Sequence, residues 1–309
     1  MPSSMKVRFL IDKEEKRVVY VEAGSDFVDV LFSFLTLPLG AIVRLLKMPS
    51  GLGSLDSLYE SIEQLDAEHL QTEACKEMLL NPRSAAAVLC EDLKVKRIHE
   101  LNPRTNYTCS QDGCLIHSTC YFTFQSKVLC SRCGKLMDKT WQWHKQTSKE
   151  GGVFVKATAE FMITDDLRVM PASLLKSLSL LKEMHIKDTS MLEERVMQFG
   201  TKEVSHLSYN FLIVDDEAQN EIKVELILNK KNNSLLYAQV GDDFTNHLFS
   251  FLAFPLGSVL KFLSDNMSPL GGCIQNLYSS IENMGLEYFK SEICRNMLLT
   301  PKLAAFFWI

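Results

Sequence analysis

Four cysteines near the middle of the chain have the spacing of metal ligands. Cys109 and Cys114 form one close pair, Cys130 and Cys133 form another, and fifteen residues separate the two pairs. Two close pairs of thiolates can face one ion, and Gly134 eases the turn that the second pair needs. The pattern predicts a structural zinc site with four cysteine ligands. Such a site is closed, so it leaves no coordination position for a catalytic water.

The identity of the ligands in the first pair has alternatives. Four residues separate Cys109 from Cys114, so Cys120 and His117 are alternative ligands to Cys109. Unligated cysteines and disulfides are the competing interpretations. Residues 1–17 contain no uninterrupted apolar stretch of the secretory kind, so we expect a cytoplasmic or nuclear protein whose nine cysteines stay reduced.

A small ribbon must position these cysteines, and we place it at residues 104–150. Residues 119–123 and 126–129 have the composition of strands. Trp141 and Trp143 lie among basic residues that outnumber the acidic ones. Such a surface can bind single-stranded nucleic acid, whereas the simpler interpretation is a solvated ribbon face with packed tryptophans. The basic residues are Arg104, Lys127, Arg132, Lys135, Lys139, Lys145 and Lys149.

Two stretches on either side of the ribbon share one sequence pattern. Residues 6–86 return as residues 223–305, and both contain Leu-Phe-Ser-Phe-Leu followed by Pro-Leu-Gly. We therefore predict a first, complete module at residues 1–205 and a second, C-terminally incomplete copy at 206–309. The apolar ending of the second copy favours truncation of a longer protein over loss of a tail. The first module comprises a β-hairpin with helices at 5–100, the ribbon at 104–150 and a strand–helix segment at 151–205.

Each copy is predicted to open with a β-hairpin and to continue into helices. Apolar runs on either side of a charged turn predict the hairpins, at residues 7–23 and 224–240. Asp26 and Asp243 stand where the N-cap of the next helix is expected, and the proline of Pro-Leu-Gly should break that helix. The predicted fold class is α+β, a duplicated β-hairpin-plus-helices module with an intervening small zinc ribbon.

The segment after the ribbon is predicted to form one strand and two helices. The strand spans residues 154–164, and Pro171 opens the first helix. Asp188 is predicted to cap the second helix, which Gly200 ends. The first helix carries an apolar stripe formed by Leu174, Leu178 and Leu181.

Composition argues against a disordered chain and against a strong overall charge. With 46% hydrophobic and 23% charged residues the chain is a folded globular protein, and its net charge of −5 is small for 309 residues. Residues 27–46 and 244–263 are long and apolar enough for a membrane span. Proline and polar residues interrupt both stretches, so we predict buried helix pairs and no membrane span.

The sequence contains no recognisable catalytic constellation. Its seven histidines stand outside any Ser/His/Asp or Cys/His motif, and it has no phosphate-binding glycine loop. The acidic pairs at residues 165–166 and 215–216 are interpreted as turn and cap residues. Cys75 and Cys294 stand at helical spacing to Met and Leu and are predicted to be small buried side chains. We predict no catalytic residue and no organic cofactor.

Three short sequence motifs resemble those of a known family. They are residues 31–40, Cys133-Gly134-Lys135-Leu136-Met137, and residues 163–169 followed by Pro171. Together they resemble a plant-specific family known as a domain of unknown function, number six-seven-four. The resemblance extends over nearly the whole chain. It implies that the module occurs in tandem, and it implies no activity.

These observations favour a non-enzymatic interaction or scaffold protein that carries a structural zinc ion and binds another protein. Nucleic-acid binding through the basic ribbon is the alternative hypothesis. An enzyme with an unrecognised site is the third hypothesis, because the absence of a motif is weak evidence.

Overall fold

The structure is a computed structural model of the 309-residue chain. The residues it describes are 4–46, 52–70, 73–90, 92–93, 106–111, 114, 122–123, 128–130, 132–141, 152–186, 188–199, 225–228, 235–266 and 272–302. The module boundary predicted at residue 205 lies outside them.

Strands and helices occur in both halves of the chain, which gives the α+β class that the sequence predicts. The strands are β1 (Met5–Asp12), β2 (Arg17–Gly24), β3 (Asn106–Thr108), β4 (Phe122–Thr123), β5 (Lys139–Trp141), β6 (Glu160–Ile163), β7 (Val169–Pro171), β8 (Leu192–Phe199), β9 (Glu225–Leu228) and β10 (Leu235–Gln239). The helices are α1 (Ser25–Ser33), α2 (Leu39–Leu46), α3 (Ser54–Gln64), α4 (Glu73–Leu80), α5 (Ala87–Cys90), α6 (Leu174–Glu183), α7 (Asp242–Ser250), α8 (Leu256–Asn266), α9 (Gly272–Asn283) and α10 (Glu292–Leu299).

Both predicted hairpins are present. β1 pairs with β2 across the charged turn, and β9 pairs with β10 in the same antiparallel way. The first hairpin is the centre of a five-stranded antiparallel sheet with the order β7-β6-β2-β1-β8. The second hairpin forms a two-stranded sheet with no further strand among the described residues.

The predicted proline breaks are also present. α1 ends in a 3₁₀ turn before Pro38, and α7 ends in the corresponding turn before Pro255, because proline cannot continue the preceding helix. The predicted N-caps are wrong. Gly24 occupies the cap position of α1, and Asp26 lies in the first turn, where its charge interacts favourably with the helix dipole.

The strand–helix segment differs from the prediction in its first half. The strand begins at Glu160, because residues 153–155 instead donate their backbone N–H groups to Asp29. Pro171 is the last residue of β7 and does not open the helix, since Ser173 caps α6. The predicted apolar stripe is not a core face, because two of its leucines, Leu174 and Leu178, are exposed.

The second predicted helix of that segment is a strand. Asp188 caps a single 3₁₀ turn, Thr189–Met191, and β8 follows at once. β8 pairs with β1 along its full length, from Met5 opposite Phe199 to Asp12 opposite Leu192. The open edge of β1 therefore outweighs the local helical pattern.

The two halves of the chain contact each other at their Pro-Leu-Gly motifs. The N–H of Leu39 donates to the carbonyl of Phe254 (2.9 Å), and the N–H of Leu256 donates to the carbonyl of Leu37 (2.8 Å). When the repeated stretches are aligned, each bond is the counterpart of the other. The contact is therefore approximately two-fold symmetric.

One hydrophobic core extends across this contact. It joins the sheet and α1 to α8, α9 and α10, with Phe32, Phe154 and Tyr278 among its largest fully buried side chains. In the described part of the chain, no helix is long and apolar enough to cross a membrane.

Candidate metal centre

A small three-stranded sheet positions the first cysteine pair. β3 lies between β4 and β5, and Cys109 follows β3 directly. The N–H of Cys114 donates to the carbonyl of Gln111 (2.9 Å), which turns the chain back toward Cys109. Strand structure is therefore present within the predicted ribbon, and most of residues 115–127 lie outside the described part of the chain.

A tight hairpin turn positions the second pair. The N–H of Cys130 donates to the carbonyl of Lys135 (2.7 Å), and the N–H of Gly134 donates back to the carbonyl of Cys130 (2.8 Å). Gly134 has a φ of 69°, a left-handed conformation that favours glycine, as its place in the second pair predicts. Cys133 lies at the exposed tip of this turn, while Cys130 is buried beside Met137.

The turns bring all four sulfurs together. The Sγ atoms of Cys109, Cys114, Cys130 and Cys133 lie within 4.8 Å of one another. The Sγ atoms of Cys109 and Cys133 are 3.4 Å apart, and those of Cys114 and Cys130 are 4.0 Å apart. Four sulfurs around one tetrahedral zinc ion would be about 3.8 Å apart, given a bond length of about 2.3 Å. The residues present therefore fit a four-thiolate metal site.

The thiols differ in acidity. The backbone N–H of Lys135 lowers the pKa of Cys133 to about 7, because it donates to the thiolate. Burial raises the pKa of Cys114 to about 12. Metal ligands are thiolates, so this N–H favours the form of Cys133 that binds a metal.

Other residues singled out in the sequence do not join this cluster. His117 and Cys120 lie outside the described residues, as do Trp143 and the acidic pair at 215–216. Asp165 and Asp166 form the predicted turn between β6 and β7, and Asp166 pairs with the guanidinium of Arg168.

The two helical cysteines were predicted to be buried, and they are less buried than predicted. Cys75 and Cys294 are only partly buried, because both lie near the start of a short helix. The Sγ of Cys294 lies 3.3 Å from the hydroxyl of Ser291 and 3.8 Å from the carbonyl of Val153. It packs between two segments and takes no part in the metal cluster.

One polar residue of structural importance lies in the apolar stretch of the first half. The carboxylate of Asp29 is buried and accepts three hydrogen bonds from the N–H groups of Val153 (2.5 Å), Phe154 (2.8 Å) and Val155 (2.9 Å). Burial raises the pKa of Asp29 to about 6, while the three donors act in the opposite direction. An acid in the middle of an otherwise apolar stretch of α1 was the sequence signal for this anchor.

The fold and the cysteine cluster define an α+β protein with the geometry of a closed four-thiolate metal site. A family model described as "Protein of unknown function (DUF674)" matches residues 2–217 and again residues 218–305. The chain belongs to this family and contains two segments of it, as the resemblance implied. Neither a curated protein nor a solved structure is significantly similar to the chain.

Proposed function

We propose that this protein is a non-enzymatic interaction or scaffold protein built from a duplicated module, and that its cysteine cluster binds one structural zinc ion. The single observation that supports this role is the closed set of four sulfurs. Four thiolates fill a tetrahedral coordination sphere, which leaves no place for a substrate or a reactive water. A soft, all-sulfur ligand set favours zinc over magnesium or calcium.

The location of the cluster supports a structural role for the metal. Among the described residues its buried core consists of Cys109, Cys130 and Met137, which is little apolar surface for three short strands. A bound ion would join the end of β3 to the hairpin turn at Gly134. The energy of metal binding would then stabilise the ribbon.

Elemental analysis of the purified full-length chain tests the metal site. We expect about one zinc ion per chain, and at least a tenfold loss of retained zinc in the Cys130→Ser variant. Cys273→Ser is the matched control, because Cys273 lies in α9 outside the cluster. A folded wild-type protein that contains no zinc and takes up none would refute the proposal.

The scaffold role has its own test. We expect affinity capture from plant cytoplasmic or nuclear extract to recover a specific protein, and we expect no turnover in a broad substrate screen. Specific activity that depends on Asp165 or Asp166 would refute the non-enzymatic assignment.

A second candidate function is nucleic-acid binding by the ribbon. Arg132, Lys135 and Lys139 are all exposed on the hairpin that carries Cys133 and on the adjoining strand. Clustered basic residues give salt-sensitive affinity for phosphates. Changing all three to Ala should abolish binding to single-stranded RNA at low salt. A wild-type protein that binds no RNA or single-stranded DNA under those conditions would exclude this candidate.

A further inference from the structure

The five-stranded sheet ends in two edges that are protected to different degrees. At one edge, β7 is only three residues long and ends in Pro171, and the hydroxyl of Ser280 accepts from the N–H of Val169 (2.8 Å). At the other edge, β8 is eight residues long, contains no proline, and pairs only with β1 in the described part of the chain. A long, unpaired edge strand is a template for pairing with another strand.

The backbone of β8 presents a regular set of groups at this free edge. The N–H of Lys13 donates to the carbonyl of Met191 (3.1 Å), so these two residues form a hydrogen-bonded pair at the end of the β1–β8 ladder. Such pairs alternate along antiparallel strands, so Glu193, Arg195 and Met197 bond to β1. The residues between them turn their N–H and C=O groups toward the free edge, and they are Leu192, Glu194, Val196 and Gln198.

Apolar side chains accompany this free backbone. The exposed fraction is 48% for Val196, 45% for Met197 and 37% for Met191, the residue that precedes β8. Val7, which lies opposite Met197 on β1, is fully buried. The apolar face of the sheet therefore continues into β8, where the described residues leave it uncovered.

Charged side chains of both signs lie on the same strand. The guanidinium of Arg195 lies 2.9 Å from the carboxylate of Glu193 on one face of the sheet. On the other face, the carboxylate of Glu194 lies 3.1 Å from the guanidinium of Arg8. Because an acid and a base stand two residues apart, an antiparallel copy of β8 centred on Glu194 would place each Glu193 opposite the partner's Arg195. The strand is therefore complementary to itself.

We propose that β8 pairs with β8 of a second copy of this chain, antiparallel and with the two-fold axis at Glu194, to form a continuous ten-stranded sheet. Three hydrogen-bonded pairs of residues would form, because Leu192, Glu194 and Val196 all turn their backbone groups to the free edge. Each Leu192 would lie opposite the partner's Val196, and each Met191 opposite the partner's Met197, which covers the exposed apolar side chains. This dimer goes beyond the proposed function and depends neither on the zinc site nor on a different protein.

Side-chain complementarity selects this register. Each Glu193 would have Arg195 of its own strand beside it and the partner's Arg195 opposite, so four charges of alternating sign meet on one face. The two Glu194 carboxylates meet at the axis, where each already has Arg8 as its counter-ion. A register centred on Arg195 would instead oppose two guanidinium groups and place each Val196 opposite the partner's Glu194.

Sedimentation equilibrium of the full-length chain over a range of concentrations tests the pairing. We expect a reversible dimer of twice the 35.1 kDa chain mass. Arg195→Glu should raise the dissociation constant at least tenfold, because two like-charged pairs replace two opposite-charged ones. Val196→Pro should do the same, since it removes an N–H at the free edge and leaves the bonds to β1 intact. Lys182→Glu, an exposed charge reversal on α6, is the matched control and should leave the constant unchanged.

Mixing two variants tests the register itself. Glu193→Arg should also weaken self-association. An equimolar mixture of Glu193→Arg and Arg195→Glu chains should nevertheless form a heterodimer, because every acid then faces a base. Mixing would not rescue a charge whose role is only to stabilise its own chain. Circular dichroism confirms that each variant is folded.

Three results would overturn the proposal. They are a monomer at every concentration, a dimer that is indifferent to Arg195→Glu and Val196→Pro, and single variants that do not associate when mixed. A monomer whose Val196 and Gln198 amides resist hydrogen exchange would assign the free edge to another stretch of the same chain. None of these results changes the zinc content or the capture of a partner protein, so failure here is distinguishable from failure of the proposed function.

Discussion

The two segments that match the family model have the same order of hairpin and helices, yet they bury the same positions to different extents. Phe34 in the first segment is 1% exposed, whereas its counterpart Phe251 is 50% exposed. Local sequence is nearly identical around both residues. The difference therefore comes from tertiary packing, because Phe34 belongs to the main hydrophobic core and Phe251 does not.

Both halves contribute to the core, but the second half exposes apolar positions that the first half buries. The first segment has the five-stranded sheet and the buried anchor at Asp29. The second segment contributes α8, α9 and α10 to the shared core and leaves the apolar side chains at the end of α7 exposed. Substitutions at aligned positions should therefore have unequal effects, except where the two halves make the same contact.

The largest inequality is expected at the aligned phenylalanines. Phe34→Ala removes a buried ring and should lower the free energy of unfolding by about 3–5 kcal/mol. Phe251→Ala removes a ring that is half exposed and should cost less than about 1.5 kcal/mol. Urea denaturation of both variants measures the difference. Equal losses would mean that Phe251 is also buried in solution.

The second prediction concerns pH. The folded pKa of Asp29, about 6, lies above the ordinary value of 3.8, because burial disfavours its charge. Between these values the folded state holds more protons than the unfolded state, so this residue's contribution to stability falls as pH rises from about 4 to 6. It is then constant. The loss is roughly 3 kcal/mol for a shift of this size.

Asp29→Asn isolates this contribution. The advantage of the wild type over the variant should shrink across that pH window, as measured by denaturation at several pH values. Asn246→Asp is the matched change in the second half, where the aligned residue is only partly buried, and it should introduce little pH dependence. A wild-type advantage that grows with pH would show that the three N–H donors outweigh burial.

Features of the fold and the site could be predicted from the sequence where they depend on residues close together in the chain, and not where they depend on distant ones. The hairpins, the proline breaks and the cysteine cluster depend on nearby residues, and the sequence predicted them. Strand β8 was predicted as a helix because its conformation is set by the edge of β1, 180 or more residues away in the chain. The role of Asp29 was missed for the same reason, since its donors at residues 153–155 are remote in sequence.

The third prediction addresses Gly40 and Gly257, where an added Cβ atom would meet a backbone carbonyl of its own half first and one of the other half at 3.1 Å. A Cβ atom on Gly257 would lie 2.5 Å from the carbonyl oxygen of Leu298, whereas one on Gly40 would lie 3.0 Å from that of Leu79. Gly257→Ala should cost about 2–3 kcal/mol, because a backbone must move. Gly40→Ala should cost roughly 1 kcal/mol. Thermal unfolding of both variants gives the order, and a reversed order would contradict the packing described at this contact.

The smallest effect is expected where the halves are equivalent. The hydroxyl of Tyr59 donates to the carbonyl of Leu80 (3.2 Å), and the hydroxyl of Tyr278 donates to the carbonyl of Leu299 (3.2 Å). Both phenols are largely buried, and burial raises both of their pKa values. Removing either hydroxyl leaves a carbonyl without its donor, which costs about 1 kcal/mol. Tyr59→Phe and Tyr278→Phe should therefore lower the free energy of unfolding by similar amounts in urea denaturation. Losses that differ by more than about 1 kcal/mol would show that the asymmetry extends from the covered surface into the helical core.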